Sequence, residues 1–273
     1  MRAPSPPESL AGEALRAMSE RGSLLLLSDF DGTLTPIVST PAGARLAPAV
    51  RRILVALAVQ PRLGLGLISG RDLRDLQQRA DIPGAILAGS HGLAVEGPSL
   101  SFLHPDAAPR LEMMSQVAAE LRRRLQPLDG VEVEAKAMAV AVHYRRARPS
   151  DLAEVFFHVE QVREGHAPLV TAQSGKKVIE LLPEVPWNKG ECALWIRDRW
   201  SQRQSREPAT VYLGDDETDE HAFDALRGKA LTVRVGPGRR RSAAIRWVED
   251  VPAVHQFLTL LRAGLGETDG QPR

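Results

Sequence analysis

The chain has 273 residues, 43% of them hydrophobic and 25% charged, with a formal net charge of +1. That length can bury one large core or two smaller ones. The near-neutral balance excludes the strong positive field of a general nucleic-acid or anionic-membrane binder. No apolar stretch has the length of a membrane span, and a lone cysteine, Cys192, excludes an intrachain disulfide.

Residues 1–21 open with a proline-rich stretch that lacks the basic and apolar regions of a signal peptide. They read as a loose tail, and the cytoplasm is the expected compartment. A strand is expected over 24–28, a helix over 47–59 with Pro48 in its first turn, and a second strand over 63–68 ending in Ser69-Gly70-Arg71. A helix over 72–79 and a third strand over 85–88, ending in Gly89-Ser90-His91-Gly92, complete a rhythm of parallel strands covered by helices. The middle differs: a helix over 111–125, strands over 131–134 and 138–144, a helix over 152–163, and strands over 169–172 and 178–182. The first rhythm then returns with a helix from Lys189 capped by Asn188, where Cys192 reads as a buried small hydrophobe. A strand over 210–213, a helix over 220–226, a strand over 230–235 and a helix over 251–262 follow. The fold class expected is α/β: a Rossmann-like parallel core, 1–105 and 186–273, interrupted by a small α+β insertion, 106–185. The basic run Arg239 to Arg241 has no interleaved aromatic residue on which a base could stack and reads as a solvated turn, so no nucleic-acid partner is expected.

Two aspartate-rich strings carry the chemistry. Asp29-Phe30-Asp31-Gly32-Thr33 and Gly214-Asp215-Asp216-Glu217-Thr218-Asp219-Glu220 each follow an apolar run that reads as a buried strand. Carboxylates gathered at strand ends, at one edge of a parallel sheet, repel one another unless a cation intervenes, and a hard divalent ion such as Mg²⁺ suits them. One strand-end carboxylate can attack phosphorus to give an aspartyl phosphate. A second can protonate the leaving alcohol and then activate water. Thr33 and Ser69 can donate to phosphate oxygens, helped by backbone amides beside Gly32 and Gly70. Lys189, at a helix start, can offset charge on both Asp29 and a phosphoryl group.

Asp29 to Leu34, Ser69-Gly70-Arg71, Lys189-Gly190 and Gly214 to Asp219 resemble the four motifs of the haloacid dehalogenase superfamily. Pro36-Ile37, Gly89 to Gly92, His143-Tyr144-Arg145 and Gly175 to Glu180 narrow the resemblance to the trehalose-6-phosphate phosphatases, over about residues 24–260. The resemblance implies an Asp29 nucleophile, an Asp31 general acid/base, and phosphate held by Ser69 and Lys189. It also implies Mg²⁺ held by Asp215 with Asp29 and the backbone carbonyl of Asp31, completed or oriented by Asp216 and Asp219. The insertion would be a mobile cap that closes over a sugar phosphate.

Glu134, Lys136, Arg145, Lys176 and Glu180 would then recognise the sugar ring remote from phosphate, with His91 and His143 as further sugar-facing candidates. Strand spacing would let Glu134 and Lys136 share a face, and His143 and Arg145 likewise. The chain departs from the family at Leu181-Leu182-Pro183, where Leu182 replaces a basic residue and opens the substrate to related glycosyl phosphates of sucrose, mannosylglycerate or glucosylglycerol. A noncatalytic phosphosugar sensor or a regulatory partner of a synthase is the alternative of another class, and the intact Asp29, Asp31, Lys189 and Asp215 weigh against it. A monomer is favoured.

Overall fold

Runs of leucine, valine and glycine bounded by turn-forming residues give strands buried on both faces, and such strands pair in parallel under a cover of helices. The structure, a computed structural model, describes residues 3–38, 43–175, 177–237 and 241–268. These fall into two units: Phe102–Pro186, and the residues up to Ser101 together with those from Trp187 onward.

In the larger unit the strands β1 (Leu24–Ser28), β2 (Leu63–Ile68) and β3 (Ile86–Gly89) run outward in one direction from the sheet centre. After the chain returns, β10 (Ala209–Gly214), β11 (Leu231–Val235) and β12 (Arg246–Val248) add on the other side of β1. The sheet order is β12-β11-β10-β1-β2-β3, all parallel. It continues through β4 (Ala94–Gly97), antiparallel to β3, and β5 (Leu100–Leu103). The direction of winding reverses between β1 and β10, so the loops after these two strands part to opposite sides and leave a crevice at their carboxyl ends.

One face of the sheet packs Leu24, Leu26, Leu65, Val211 and Val233 against helices α1 (Pro7–Arg21), α2 (Pro48–Ala58), α3 (Leu73–Ala80) and α8 (Val251–Thr268). Helices α6 (Lys189–Gln204) and α7 (Glu217–Ala225) pack against each other and also meet the sheet, α6 at β1 and β2 and α7 at β10.

The smaller unit is a four-stranded antiparallel sheet of order β6-β7-β9-β8, comprising β6 (Glu132–Ala135), β7 (Val140–His143), β8 (Val170–Gly175) and β9 (Val178–Pro183). Helices α4 (Leu111–Leu125) and α5 (Leu152–Gly165) cover one of its faces, burying Val140, Val142, Val170 and Leu181 against Leu121 and Val159. Residues of the opposite parity point to the other face.

Several sequence expectations are corrected. Residues 7–21 are not a loose tail: they form α1, started by Pro7 and ended by a left-handed Gly22. Leu10, Ala14 and Met18, at helical spacing of four, are buried there against the sheet and α8. The β4–β5 hairpin was not expected, although Gly97-Pro98-Ser99 is a turn signal between two short runs. The terminal helix continues past 262 because Leu265 is still buried. Of the basic run, Arg239 and Arg240 lie outside the described residues.

Leu10 is 1% exposed, so Leu10→Ala should lower the unfolding free energy by about 2–5 kcal/mol. Urea denaturation followed by circular dichroism measures this; a change within error would mean that α1 does not belong to the core.

Candidate active site

The crevice between β1 and β10 collects the acidic strings. Asp29 follows β1, and its amide donates to the Leu213 carbonyl of β10 at 2.8 Å, which locks the two strand ends together. Gly32 then turns with φ of +90°, and a Cβ there would lie 2.4 Å from the Asp215 carboxylate. Only glycine lets the first loop approach the second so closely. Thr33 Oγ1 reaches Asp215 Oδ1 at 3.5 Å.

The second string is a helix start rather than an extended loop. Asp216 is the N-cap of α7; its Oδ1 accepts from the amides of Thr218 and Asp219 and from the Thr218 hydroxyl. Asp219, three residues on, returns Oδ2 to the amides of Asp215 and Asp216 at 2.9 and 3.1 Å. This reciprocal capping box sets the expected helix start near 220 back to Glu217. It also turns Asp219 inward, and Gly214 leaves room for it, since a Cβ at 214 would lie 2.4 Å from the Asp219 carboxyl carbon.

Lys189 closes the cluster from the first residue of α6, where Asn188 caps the amides of Gly190 and Glu191. Its ammonium donates to Asp29 Oδ1 at 2.7 Å and to Asp219 Oδ1 at 2.9 Å, with Asp216 at 4.0 Å. Tyr212 also donates to Asp219 Oδ1, at 2.9 Å. Asp219 therefore accepts four hydrogen bonds.

Burial dominates the electrostatics. Desolvation pushes Asp29 well above the usual carboxylate range; Lys189 opposes this, while Asp219, Asp215 and Asp216 add to it. Desolvation likewise pushes Asp219 up to about 7 against Lys189, with Asp216 and Asp215 again adding. For Asp216, burial is outweighed by Lys189, its cap bonds and nearby His91, so its carboxyl lies well below the usual range. For Lys189, desolvation would lower the ammonium, but Asp219, Asp29 and Asp216 hold it well above the ordinary value.

The other expected residues divide. Ser69 is buried and its hydroxyl accepts the Arg71 amide at 3.2 Å. Asp31 stands apart from the carboxylate cluster: both its oxygens meet the Arg71 guanidinium, at 2.6 and 2.8 Å. Arg71 is held in turn by Asp75 at 2.7 Å, and Asp75 by Arg79. His91 sits in a buried turn after β3, where it, Ser90 and Gly92 all have positive φ.

In the smaller unit, Glu134 meets His143 at 2.9 Å and Lys136 is paired with Glu180. Arg145 is exposed in the turn beyond β7 rather than at strand spacing with His143, because the strand ends at His143. Lys176 lies outside the described residues. Sequence reasoning missed Tyr212, whose only signal was its strand position, and Arg234. Arg234 grips Glu220 at 2.7 Å and the Asp215 carbonyl at 3.1 Å, bracing the second acidic loop from β11. Arg71 was visible in its motif but suggested no role. Cys192 is buried as expected, and burial pushes its thiol up.

Oxygens of Asp29, Asp215 and Asp219 lie within 4.8 Å of one another. Asp29, Asp216 and Asp219 face the Lys189 ammonium and Asp215 joins Asp29 and Asp219, and an all-oxygen donor set of this kind fits Mg²⁺. Because Asp219 is engaged by four donors, Asp29 and Asp215 are the carboxylates best placed to give it oxygens. No helix among the described residues is long and apolar enough to cross a membrane.

A parallel core carrying strand-end carboxylates and a buried lysine, interrupted by an antiparallel sheet, is a haloacid-dehalogenase-type fold. The trehalose-phosphatase family model matches residues 27–247, and the chain belongs to that family. It is 41% identical over 243 residues to a trehalose-phosphate phosphatase of Mycobacterium tuberculosis, covering 88% of this chain and 61% of that protein. The chain thus spans about three fifths of the length of that relative. Among solved structures, the C-terminal domain of trehalose-6-phosphate phosphatase from C. albicans superposes with a TM-score of 0.81 at 26% identity, over 96% of this chain and 99% of that one. Trehalose-6-phosphate phosphatase from Aspergillus fumigatus gives 0.63 at 27% identity, over 93% and 97%.

The raised Asp29 and Asp219 set a pH dependence. Unfolded aspartates titrate near 4, so the cation-free fold binds protons that the unfolded chain has lost. The contribution of these two groups is therefore fully present below about pH 4 and falls as pH rises toward about 7. Scanning calorimetry from pH 5 to 8 should show the melting temperature of the cation-free protein falling, and millimolar Mg²⁺ should remove most of the fall. A flat profile without cation would contradict the buried, crowded state of these carboxylates.

Proposed function

We propose that this protein is a Mg²⁺-dependent phosphatase that hydrolyses trehalose 6-phosphate to trehalose and inorganic phosphate. The observation that carries the reading is the buried Lys189 bridge between Asp29 and Asp219 at the mouth of β1 and β10.

Asp29, 4% exposed and oriented by Lys189, attacks phosphorus. As the bond from phosphorus to the sugar oxygen breaks, the Asp31 carboxyl gives its proton to that oxygen, and an aspartyl phosphate remains. Asp31 then takes a proton from water, the hydroxide attacks phosphorus, and the Asp29 carboxylate and inorganic phosphate are released. Asp31 suits a role in proton transfer because its side chain is 35% exposed, where water and a leaving alcohol can reach it, and Arg71 fixes its plane. Thr33, Ser69 and the backbone around Gly70 receive the phosphoryl oxygens. Mg²⁺, when bound to Asp29 and Asp215 with Asp216 and Asp219 behind them, offsets the negative charge of the carboxylates and of the phosphoryl group. The polar face of the smaller unit's sheet, with Glu134, Lys136, His143 and Glu180, reads the sugar; Arg145, Lys176 and His91 are its further candidates. One chain supplies every residue named, so a monomer suffices. The single cysteine, unable to pair within the chain, suits a reducing cytoplasm.

Leu182 favours a second substrate reading. It is buried, 5% exposed, and at strand spacing from Glu180 it belongs to the same polar face, to which it offers no polar atom. A phosphorylated glycoside related to trehalose would fit this loss of charge.

Phosphate release from trehalose 6-phosphate and from sucrose, mannosylglycerate and glucosylglycerol phosphates, with and without Mg²⁺, decides between them. The expected result is Mg²⁺-dependent turnover preferring trehalose 6-phosphate; preference for another member would move the substrate, and no release from any would end the phosphatase reading. Asp29→Asn should lose about 10⁴-fold or more in kcat. Lys136→Ala should lose about tenfold or more in kcat/KM on the disaccharide phosphate and little on 4-nitrophenyl phosphate; equal losses on both would reject a sugar-specific role.

A further inference from the structure

The smaller unit's polar face contains a buried polar atom that belongs to none of the sugar candidates above. In the sheet register Gln173 of β8 lies directly across from Glu180 of β9, which lies across from Ala141 of β7, itself opposite Glu134 of β6. Residues opposite one another in antiparallel strands project to the same side, so Gln173 shares the face of Glu134, Glu180 and Lys136, away from the cluster packed under α4 and α5. Solvent does not reach its Oε1, and no donor among the described residues reaches it either. Among the described residues of this face, Lys136 is paired with Glu180 and Glu134 with His143.

A buried amide oxygen without a donor is unfavourable by about 1–3 kcal/mol. Nearly all buried polar groups in folded proteins have partners, and an exception calls for a ligand, water or ion. The flanking groups narrow the ligand. An ammonium–carboxylate pair beside a neutral amide supplies donors and acceptors together, and the group that uses both is a hydroxyl. The neighbouring row, Thr171 opposite Leu182, adds one hydroxyl and one apolar side chain.

We infer that Gln173 is a specificity-determining residue whose side-chain Oε1 accepts a hydrogen bond from a sugar hydroxyl remote from the phosphate. This rests on the sugar-phosphatase reading above and adds to it a fourth strand. It sets Gln173 apart from a structural glutamine in one respect: because no donor among the described residues reaches its oxygen, removing it should relieve the fold while weakening substrate binding.

The test is Michaelis kinetics and thermal melting of Gln173→Ala in the full chain with Mg²⁺. For trehalose 6-phosphate KM should rise about five- to tenfold with kcat little changed, since the lost contact is to the sugar and not to the reacting phosphoryl group. Kinetics on 4-nitrophenyl phosphate should be unaltered, and the melting temperature should stay level or rise. Inhibition by free trehalose should weaken by the same factor, which reads sugar binding without turnover. An unchanged KM for a wild-type-active sugar phosphate, equal losses on both substrates, or a melting temperature lowered by several degrees would each overturn the assignment. A wild-type protein that hydrolyses 4-nitrophenyl phosphate but no sugar phosphate would instead overturn the substrate reading, and the assignment with it.

Discussion

Everything at the head of the sheet depends on one buried cation. The Lys189 ammonium, 2% exposed, replaces its hydration shell with Asp29 and Asp219 at 2.7 and 2.9 Å. Removing a buried charge's partner is strongly destabilising, because the survivor is left unpaired in a medium that solvates it poorly. Its carboxylates therefore hold Lys189 charged, and Lys189 fixes Asp29 and Asp219 in space without fully offsetting the cost of burying them. The balance is still short of positive charge. That deficit makes the crevice receptive to a divalent ion, and it pushes Asp29 and Asp219 up when no such ion is bound.

The two aspartates of the first string show how two positions apart can mean two environments. Asp29 ends a central strand, is buried, and has Lys189 for a partner. Asp31 lies beyond the turn, is more open, and is paired with a guanidinium that Asp75 and Arg79 anchor. Phosphoryl transfer through a covalent intermediate needs one group to stay ionised and attack, and another to exchange a proton with alcohol and water. Gly32, with φ of +90°, turns the chain between them, which is why two such environments follow one another in the string and suit the two roles proposed.

Much of this was legible in the sequence, for a physical reason. Strands buried on both faces must be apolar throughout, so the runs before Asp29 and Asp215 announce themselves, and a carboxylate directly after such a run has little freedom of placement. The sequence was less informative where one residue does local and distant work at once. Asp216 and Asp219 look like ligands in a string of acids, yet their first duty is to cap α7, which is why the helix begins before 220. Arg234 and Tyr212 were hidden because their sequence neighbours say nothing of what lies across β10. The first helix was missed because its prolines suggested a tail, although Leu10, Ala14 and Met18 keep helical spacing; only its packing against α8, some 240 residues later in the chain, makes that stripe a core face.

The smaller unit obeys a different logic. Its sheet is covered by helices on one face, so alternate residues are released from packing and free to be polar. On that face the charged residues come in opposite-sign pairs rather than a single-sign patch, as suits a neutral sugar better than a phosphate. In the proposed reading the phosphate would be served by the strand ends of the larger unit, where charge is concentrated. Under that reading chemistry and selectivity would rest on separate residues. A change such as leucine at 182 would then alter which sugar is accepted while Lys189 and its carboxylates, in the other unit, keep the arrangement proposed to act on phosphorus.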